Sequence, residues 1–295
     1  MDIWSEIKES FKYGSSATRI IYINLAVFLA YKITEVIFFL FADGESASFL
    51  IPWFSVPASA SELILKPWTL ITYMFFHVDF LHILFNLVWL YWFSKIFLSY
   101  FNQAQLVGVY ILGGLAGAFL FILAFNLFPV FSQSLPGSVC LGASAGVLAI
   151  VIAISAYVPN YTLYLLFLGP VKLKYIALVS IAIDIISIPA GNAGGHIAHL
   201  GGALFGFLFV ALLKNKTDLT RSFQIKQWKW KNPFKRKSKL KVNYGNVPRD
   251  DYAYNARKLA DQAEIDKILD KISKGGYESL SKDEKDKLFR MGQKK

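Results

Sequence analysis

The chain has little cysteine and, over most of its length, little charge. Its single cysteine among 295 residues, Cys140, excludes an internal disulfide and belongs to no metal-binding motif. The first 213 residues hold only 8 Lys and Arg and 9 Asp and Glu, a net charge of −1. All four histidines lie in this part, and the rest of the chain has none. So few charges in a sequence that is 55% hydrophobic are typical of a membrane domain.

Positive charge is concentrated at the end of the chain. From position 214 onward there are 23 Lys and Arg against 11 Asp and Glu, a net charge of +12. Aromatic residues (Trp228, Trp230 and Phe234) are interleaved with the lysines. A basic, aromatic segment beside membrane spans is typical of the cytoplasmic face, where it attracts anionic lipid headgroups. The segment shows no recognisable nucleic-acid-binding motif, so no nucleic-acid partner is expected.

Six apolar stretches are candidates for membrane spans, since a hydrocarbon core ~30 Å thick needs ~20 helical residues and ~17 can suffice. They cover approximately residues 20–41, 80–98, 103–128, 144–158, 174–188 and 196–213. The first is too long for the core of a signal peptide, so no cleavable signal is expected. Backbone groups in lipid must be paired inside helices or closed barrels, so sheets are not expected there. The predicted fold class is therefore all-α, a six-span membrane bundle with a small helical tail.

The distribution of charge in the loops predicts the orientation. Lys8, Lys12 and Arg19 precede the first span, Lys95 lies at the end of the second that leads to the third, and Lys172 precedes the fifth. The alternate loops carry mainly acidic residues or no charge at all. By the positive-inside rule both termini lie in the cytoplasm, and the predicted location is the cell (inner) membrane.

Four segments are predicted along the chain. Residues 1–18 form a cytoplasmic segment, 19–213 the six-span domain, 214–250 a basic aromatic linker and 251–295 a small helical extension. In the extension, residues 251–274 have an amphipathic pattern, and Ser281 with Glu284 forms a capping box for a second helix.

A serine and a histidine on separate spans are the main candidates for chemistry. Ser144 is flanked by small residues, and polar side chains that persist within spans are usually functional. His199 shares a helical face with Gly202 and Gly206, which allow a close approach to the span that begins at Ser144. That packing is expected to bring His199 within hydrogen-bond reach of Ser144, the pairing that activates a serine nucleophile.

The second span adds two polar groups. His82 and Asn86 are four residues apart on one face and are suitable donors to a developing oxyanion. The alternative is an interhelical hydrogen-bond cluster without a catalytic role. His77, Asp184 and His196 are predicted to be structural: His77 as a structural or rim-forming residue, Asp184 as a helix-end or interior polar contact, and His196 as a polar residue at the outer end of span six.

Three motifs in this order resemble those of the rhomboid intramembrane serine proteases. They are His77-x4-His82-x3-Asn86, Gly142-x-Ser144 and Ala198-His199-Leu200-Gly201-Gly202-x3-Gly206, and the resemblance covers about residues 18–213. It implies that Ser144 is the nucleophile and His199 the general base, as a dyad without a carboxylate. It also implies an oxyanion hole made by His82, Asn86 and the backbone N–H of Ser144. Gly142, Gly202 and Gly206 would then shape the site.

The resemblance implies a bacterial six-span protease that cleaves single-span membrane proteins near their outer ends, with neither a cofactor nor a metal. The aromatic loop at residues 42–79 resembles the membrane-embedded loop of the family. The sequence departs from the family pattern at Ala145, where most members have glycine, and at Leu148, where members often have an aromatic residue that stacks on the catalytic imidazole. The alternatives are a catalytically inactive rhomboid-like protein that binds transmembrane clients and, with less support, a transporter. The oligomeric state is left open.

Overall fold

A computed structural model describes residues 2–41, 47–165, 169–224 and 251–292. The chain divides into two compact units, Met1–Lys229 and Trp230–Lys295. The three aromatic residues of the basic linker, Trp228, Trp230 and Phe234, lie outside the described residues.

The first unit is mainly helical, with two short antiparallel strand pairs in its loops. Its helices are α1 (Ile3–Tyr13), α2 (Ser16–Phe41), α3 (Ile51–Phe54), α4 (Ala60–Leu65), α5 (Thr69–Thr72), α6 (Phe80–Leu98), α7 (Gln103–Leu127), α8 (Ser144–Tyr157), α9 (Leu173–Ser187) and α10 (Ala193–Lys214). Its strands are β1 (Val56–Pro57), β2 (Val139–Cys140), β3 (Thr162–Leu165) and β4 (Gly169–Lys172). Short 3₁₀ helices are found at Ala47–Leu50, Tyr73–Phe75, Pro129–Phe131, Ile188–Ala190 and Arg221–Gln224.

The helices follow the predicted spans closely. Among the described residues, five helices are long and apolar enough to cross a membrane: α2, α6, α7, α9 with its following 3₁₀ turn, and α10. The remaining predicted span, α8, is an apolar helix of 14 residues. The strand pairs lie outside these helices, where backbone groups can bond to a neighbouring loop. The polytopic helical fold class is thereby confirmed.

Helix α8 forms the centre of the bundle. Every residue from Ala145 to Ser155 is buried, although α8 has no polar face. A helix that is apolar all round can be buried on every side, and α8 contacts α6, α7, α9 and α10 here. The first residue of α8 is Ser144, so this central position determines where the candidate nucleophile lies.

Small residues allow α10 and α7 to approach α8 closely. A Cβ atom on Gly202 or Gly206 would clash with the backbone of α8, at the carbonyl groups of Ala145 and Ala149 respectively. On the α7 side, a Cβ atom on Gly113 would clash with the Ala149 side chain. The predicted contact between the small residues of spans four and six is therefore present, and it fixes the register of α10 against α8.

The first loop is connected directly to the segment that precedes α8. Strand β1 pairs with β2, with Val56 opposite Cys140, and the N–H of Gly142 donates to the carbonyl of Tyr73 at 2.8 Å. Within the loop Trp53 and Trp68 stack, with ring centroids 6.2 Å apart. These contacts attach the aromatic loop to the residues just before Ser144.

The segment that follows α10 packs against α7. Gln105 of α7 donates to the Asp218 carboxylate at 3.1 Å, and Thr220 is fully buried against Gly108. Residues that follow α10 therefore pack against α7 within the first unit.

The second unit contains α11 (Asp251–Gly275), a 3₁₀ turn (Tyr277–Ser279) and α12 (Lys282–Gly292). The predicted capping box is present, since Ser281 N–H donates to the Glu284 carboxylate at 2.7 Å and Glu284 N–H donates to Ser281 Oγ at 3.3 Å. Ile268 and Leu280 are buried, and Lys271 pairs with Glu284 at 2.9 Å. The two predicted helices of the extension are thereby confirmed.

Candidate active site

One cavity of about 800 Å³ brings together candidate residues from four helices. Ser144 of α8, His199 of α10, and His82 and Asn86 of α6 all line it, together with Asp184 of α9. Apolar side chains, among them Val147, Leu148 and Ile183, form much of the remaining wall. Residues that are far apart in the sequence therefore face a common space large enough to admit a peptide segment.

Ser144 lies half-buried at the first position of α8. The first N–H groups of a helix have no partner within the helix and carry partial positive charge, which makes them suitable donors to an anion. Gly142 precedes it with φ +113°, a conformation that side chains other than glycine rarely adopt. A Cβ atom at Gly142 would also lie 2.6 Å from the His82 ring. Glycine is thus required here both for the turn into α8 and for the close approach of His82.

His77 is fully buried behind the cavity, which favours the structural one of its two predicted roles over the rim-forming one. Its Nε2 accepts the Ala143 N–H at 3.2 Å and lies 3.2 Å from Asn86 Nδ2. The amide of Asn86 also donates to the His82 carbonyl at 3.0 Å. Because Ala143 N–H is a donor, Nε2 must carry the lone pair. His77 therefore links the segment before Ser144 to α6.

The His77 pKa predicts a loss of stability in acid. Burial, followed by the neighbouring His82, lowers the pKa of His77 from 6.5 to about 4. Between these pH values the unfolded chain binds a proton at this residue and the folded chain does not. The contribution of neutral His77 to the free energy of unfolding is therefore complete above pH 6.5 and is lost as the pH falls towards 4. The loss amounts to roughly 3 kcal/mol, at 1.36 kcal/mol per pKa unit.

Thermal denaturation in detergent at several pH values between 7 and 4 would measure this loss, with His77→Gln as the comparison. The glutamine variant is expected to be less stable at pH 7 but to depend less on pH over this range. An equally steep decline in both proteins would exclude His77 as its source.

Asp184 connects the two histidines of α10. The same carboxylate oxygen, Oδ1, lies 2.8 Å from His199 Nδ1 and 2.9 Å from His196 Nδ1. Asp184 is buried, with 5% of its surface exposed, whereas both imidazoles are partly exposed. Each Nδ1 donates its proton to the carboxylate in this arrangement, so the Nε2 of His199 carries the lone pair.

This contact adds a carboxylate to the candidate site, which the predicted dyad of Ser144 and His199 does not include. The sequence predicts Asp184 to be a helix-end or interior polar contact, and the structure places its carboxylate on the imidazole of the candidate base. Two sequence signals point to it: Asp184 is the only Asp or Glu between positions 80 and 213, and the two histidines are three residues apart. A carboxylate within lipid needs a partner, and the two histidines of the next span are candidates for it.

The candidate site lies in a part of the chain that matches a known protein family. Residues 65–216, just over half of the chain, match the family model described as the Rhomboid domain. The chain belongs to the rhomboid family. The matched range of this rhomboid includes all five polar residues named above as lining the cavity. Residues 250–294, which contain the second unit's two helices, match a family of unknown function (DUF6576).

Two curated relatives are also rhomboid-like proteins. The chain is 33% identical over 144 residues to RHOMBOID-like protein 12, mitochondrial, of Arabidopsis thaliana. These residues are 46% of this chain and 43% of the relative. It is 26% identical over 213 residues to Presenilin-associated rhomboid-like protein A, mitochondrial, of Danio rerio. These residues are 71% of this chain and 50% of the relative. The rhomboid chain thus spans half or less of the length of these relatives, and both are named as mitochondrial rather than bacterial proteins.

Proposed function

We propose that this rhomboid is an intramembrane serine endopeptidase. The observation that supports it best is the shared cavity, in which Ser144 opens α8 and His199 is held by Asp184. The proposed substrates are single-span membrane proteins, cleaved near the outer face of the membrane. The proposed location is the cell membrane of a bacterium with both termini in the cytoplasm, where the basic segment after α10 contacts anionic lipid headgroups.

In the proposed mechanism, Ser144 Oγ attacks the scissile carbonyl carbon and His199 Nε2 takes the serine proton. The resulting tetrahedral intermediate collapses when His199 returns that proton to the leaving amine, which breaks the C–N bond and leaves an acyl-enzyme. Water then attacks the acyl-enzyme carbonyl while His199 takes its proton. His199 returns this proton to Ser144 Oγ as the ester bond breaks and the carboxylate product leaves. Asp184, which accepts the His199 Nδ1 proton, keeps Nε2 free to act as the base.

Asp184 also supplies a means of orienting the imidazole. Leu148 lies in the cavity wall at the position where rhomboids often have an aromatic residue that stacks on the ring. A leucine provides no flat surface for such stacking, whereas the 2.8 Å bond to Asp184 restrains both the tautomer and the orientation of His199. We therefore assign Asp184 as a positioning residue that acts through His199.

The proposed oxyanion hole consists of the Ser144 N–H, His82 and Asn86. Both hydrogens of the Asn86 amide are used in the described state, by His77 Nε2 and the His82 carbonyl. One of them has to be released before Asn86 can bind an oxyanion, and such bonds often tighten only when substrate is present. Asn86 is therefore expected to contribute less than a donor that points permanently into the site.

Asn86→Ala is expected to lower kcat by roughly 10- to 100-fold, below the 10²–10³ typical for a sole side-chain donor, because three donors share the charge. The measurement is cleavage of a membrane reporter in detergent, with Ser144→Ala as the inactive reference. Thermal denaturation separates a loss of catalysis from a loss of the Asn86–His77 contact. Wild-type turnover by Asn86→Ala would remove this residue from the proposed hole.

A second candidate function is that of an inactive rhomboid that binds transmembrane clients. Two observations favour it: both relatives are named only as rhomboid-like, and the Asn86 amide is occupied within the protein. The presence of Ser144 and of a base held by a carboxylate favours the peptidase, because client binding requires neither.

Covalent labelling of Ser144 with a fluorophosphonate tests the proposed function. The reagent reacts with an activated serine, so the wild-type protein in detergent is expected to be labelled once, at Ser144. Ser144→Ala should not react, and His199→Ala should react far more slowly. A folded wild-type protein that neither reacts nor cleaves reporter would support the client-binding alternative.

A further inference from the structure

Three potential metal-ligand atoms converge at the edge of the cavity. Asp184, His196 and His199 each offer one ligand atom, and these three atoms all lie within 4.8 Å of one another. Nδ1 of each histidine lies within 2.9 Å of Asp184 Oδ1. The histidines are one helical turn apart on α10, and the carboxylate reaches them from α9. Asp184 and His199 line the cavity, so a cation in the cavity has access to the cluster.

The donor set suits a particular class of ion. Two imidazole nitrogens and one carboxylate oxygen favour zinc and similar divalent transition metals, whereas calcium and magnesium prefer oxygen ligands. Tetrahedral zinc with bonds near 2.0–2.1 Å places its ligand atoms about 3.3 Å apart. The Asp184 oxygen lies 2.8 and 2.9 Å from the two nitrogens, so each of these two distances has to lengthen by about 0.5 Å to reach that geometry. The fourth position would face the cavity.

We infer that Asp184, His196 and His199 form a binding site for a divalent transition metal of the zinc class, and that occupation of this site switches the peptidase off. The inhibitory half of this inference rests on the proposed function. The binding half rests only on the positions of the three side chains.

Inhibition follows from the proton on the His199 ring. A neutral imidazole has one N–H, which is on Nδ1 when Nδ1 donates to Asp184. When a metal binds Nδ1, the ring proton moves to Nε2, with no net release of protons. Nε2 is the atom that has to accept the Ser144 proton in the proposed mechanism. The metal also takes the Asp184 oxygen, so the base loses its lone pair and its positioning contact together.

Direct binding tests the site without any need for activity. Tag-free protein carrying Ser144→Ala is titrated in detergent with ZnCl₂ by calorimetry, and with Co²⁺ while the visible absorption of tetrahedral cobalt is followed. One saturable site is expected. Adding His196→Ala or Asp184→Asn should weaken binding by at least about 10-fold, since even the loss of a group supporting a metal ligand costs 10- to 100-fold. Asp79→Asn, which alters another carboxylate of the cavity wall, should leave binding unchanged.

Reporter cleavage and fluorophosphonate labelling test the inhibition, each variant being compared with its own metal-free rate. Zinc should slow both reactions of the wild-type protein, and His196→Ala should need at least about 10-fold more zinc for the same effect. Absence of saturable binding, or equal binding with and without His196, would overturn the site. Zinc binding without slower labelling would overturn the switch. If the wild type binds zinc as expected but neither cleaves nor labels, the metal site stands and the proposed peptidase function fails.

Discussion

Replacement of His199 by alanine is expected to abolish cleavage, with kcat falling on the order of 10⁴-fold or more, because it removes the group that takes the serine proton in the proposed mechanism. His196→Ala is expected to retain much of the activity. Both histidines contact Asp184, but His199 is the one that lines the cavity with Ser144 and shares a helical face with Gly202 and Gly206. The comparison therefore tests which of two nearly equivalent histidines is the base.

The measurement is cleavage of a membrane reporter by matched amounts of protein, with Ser144→Ala as the reference for zero activity. All three variants are expected to insert and to show single thermal transitions, because both imidazoles are partly exposed and neither lies within the core. Normal cleavage by His199→Ala together with an inactive His196→Ala would reverse the assignment.

Replacement of Asp184 by asparagine is expected to lower kcat by roughly 10²- to 10⁴-fold with little change in KM. An asparagine amide can donate to Nδ1 and so stabilise the tautomer that has its proton on Nε2, which cannot accept a proton from Ser144. The rate of fluorophosphonate labelling should fall in parallel with kcat, because labelling depends on the same activated serine. Asp184→Glu keeps the carboxylate and should recover part of the loss.

His196→Ala is the matched control for Asp184, since it removes the other hydrogen bond to the same oxygen and leaves the one to His199 in place. If Asp184 merely packed α9 against α10, the two variants would lose similar activity and Asp184→Glu would bring no recovery. Unchanged kcat in a folded Asp184→Asn would return the site to a dyad of Ser144 and His199.

The spans could be predicted from the sequence because their physical cause is local. The length of an apolar run determines whether a helix can cross the hydrocarbon core, so the bounds of α6 and α7 agree with the prediction to within one residue. The close approach of α10 to α8 could also be predicted from the sequence, because glycine at positions 202 and 206 leaves room for the Ala145 and Ala149 carbonyls. The capping box at Ser281 depends on neighbours three residues away and was predicted for the same reason.

The partners of Asp184 and the position of His77 were decided only by tertiary structure. The sequence shows that a carboxylate lies in the fifth span, but the rotation of α9 about its axis determines which histidine it meets. That rotation results from the packing of several helices together, and no local pattern specifies it. The burial of His77 likewise depends on the Ala143 N–H, 66 residues away, and on Asn86 of α6. Sequence alone thus singled out Ser144 and His199 as candidates, whereas the contact of the Asp184 carboxylate with His199 became apparent only once four helices were packed around one cavity.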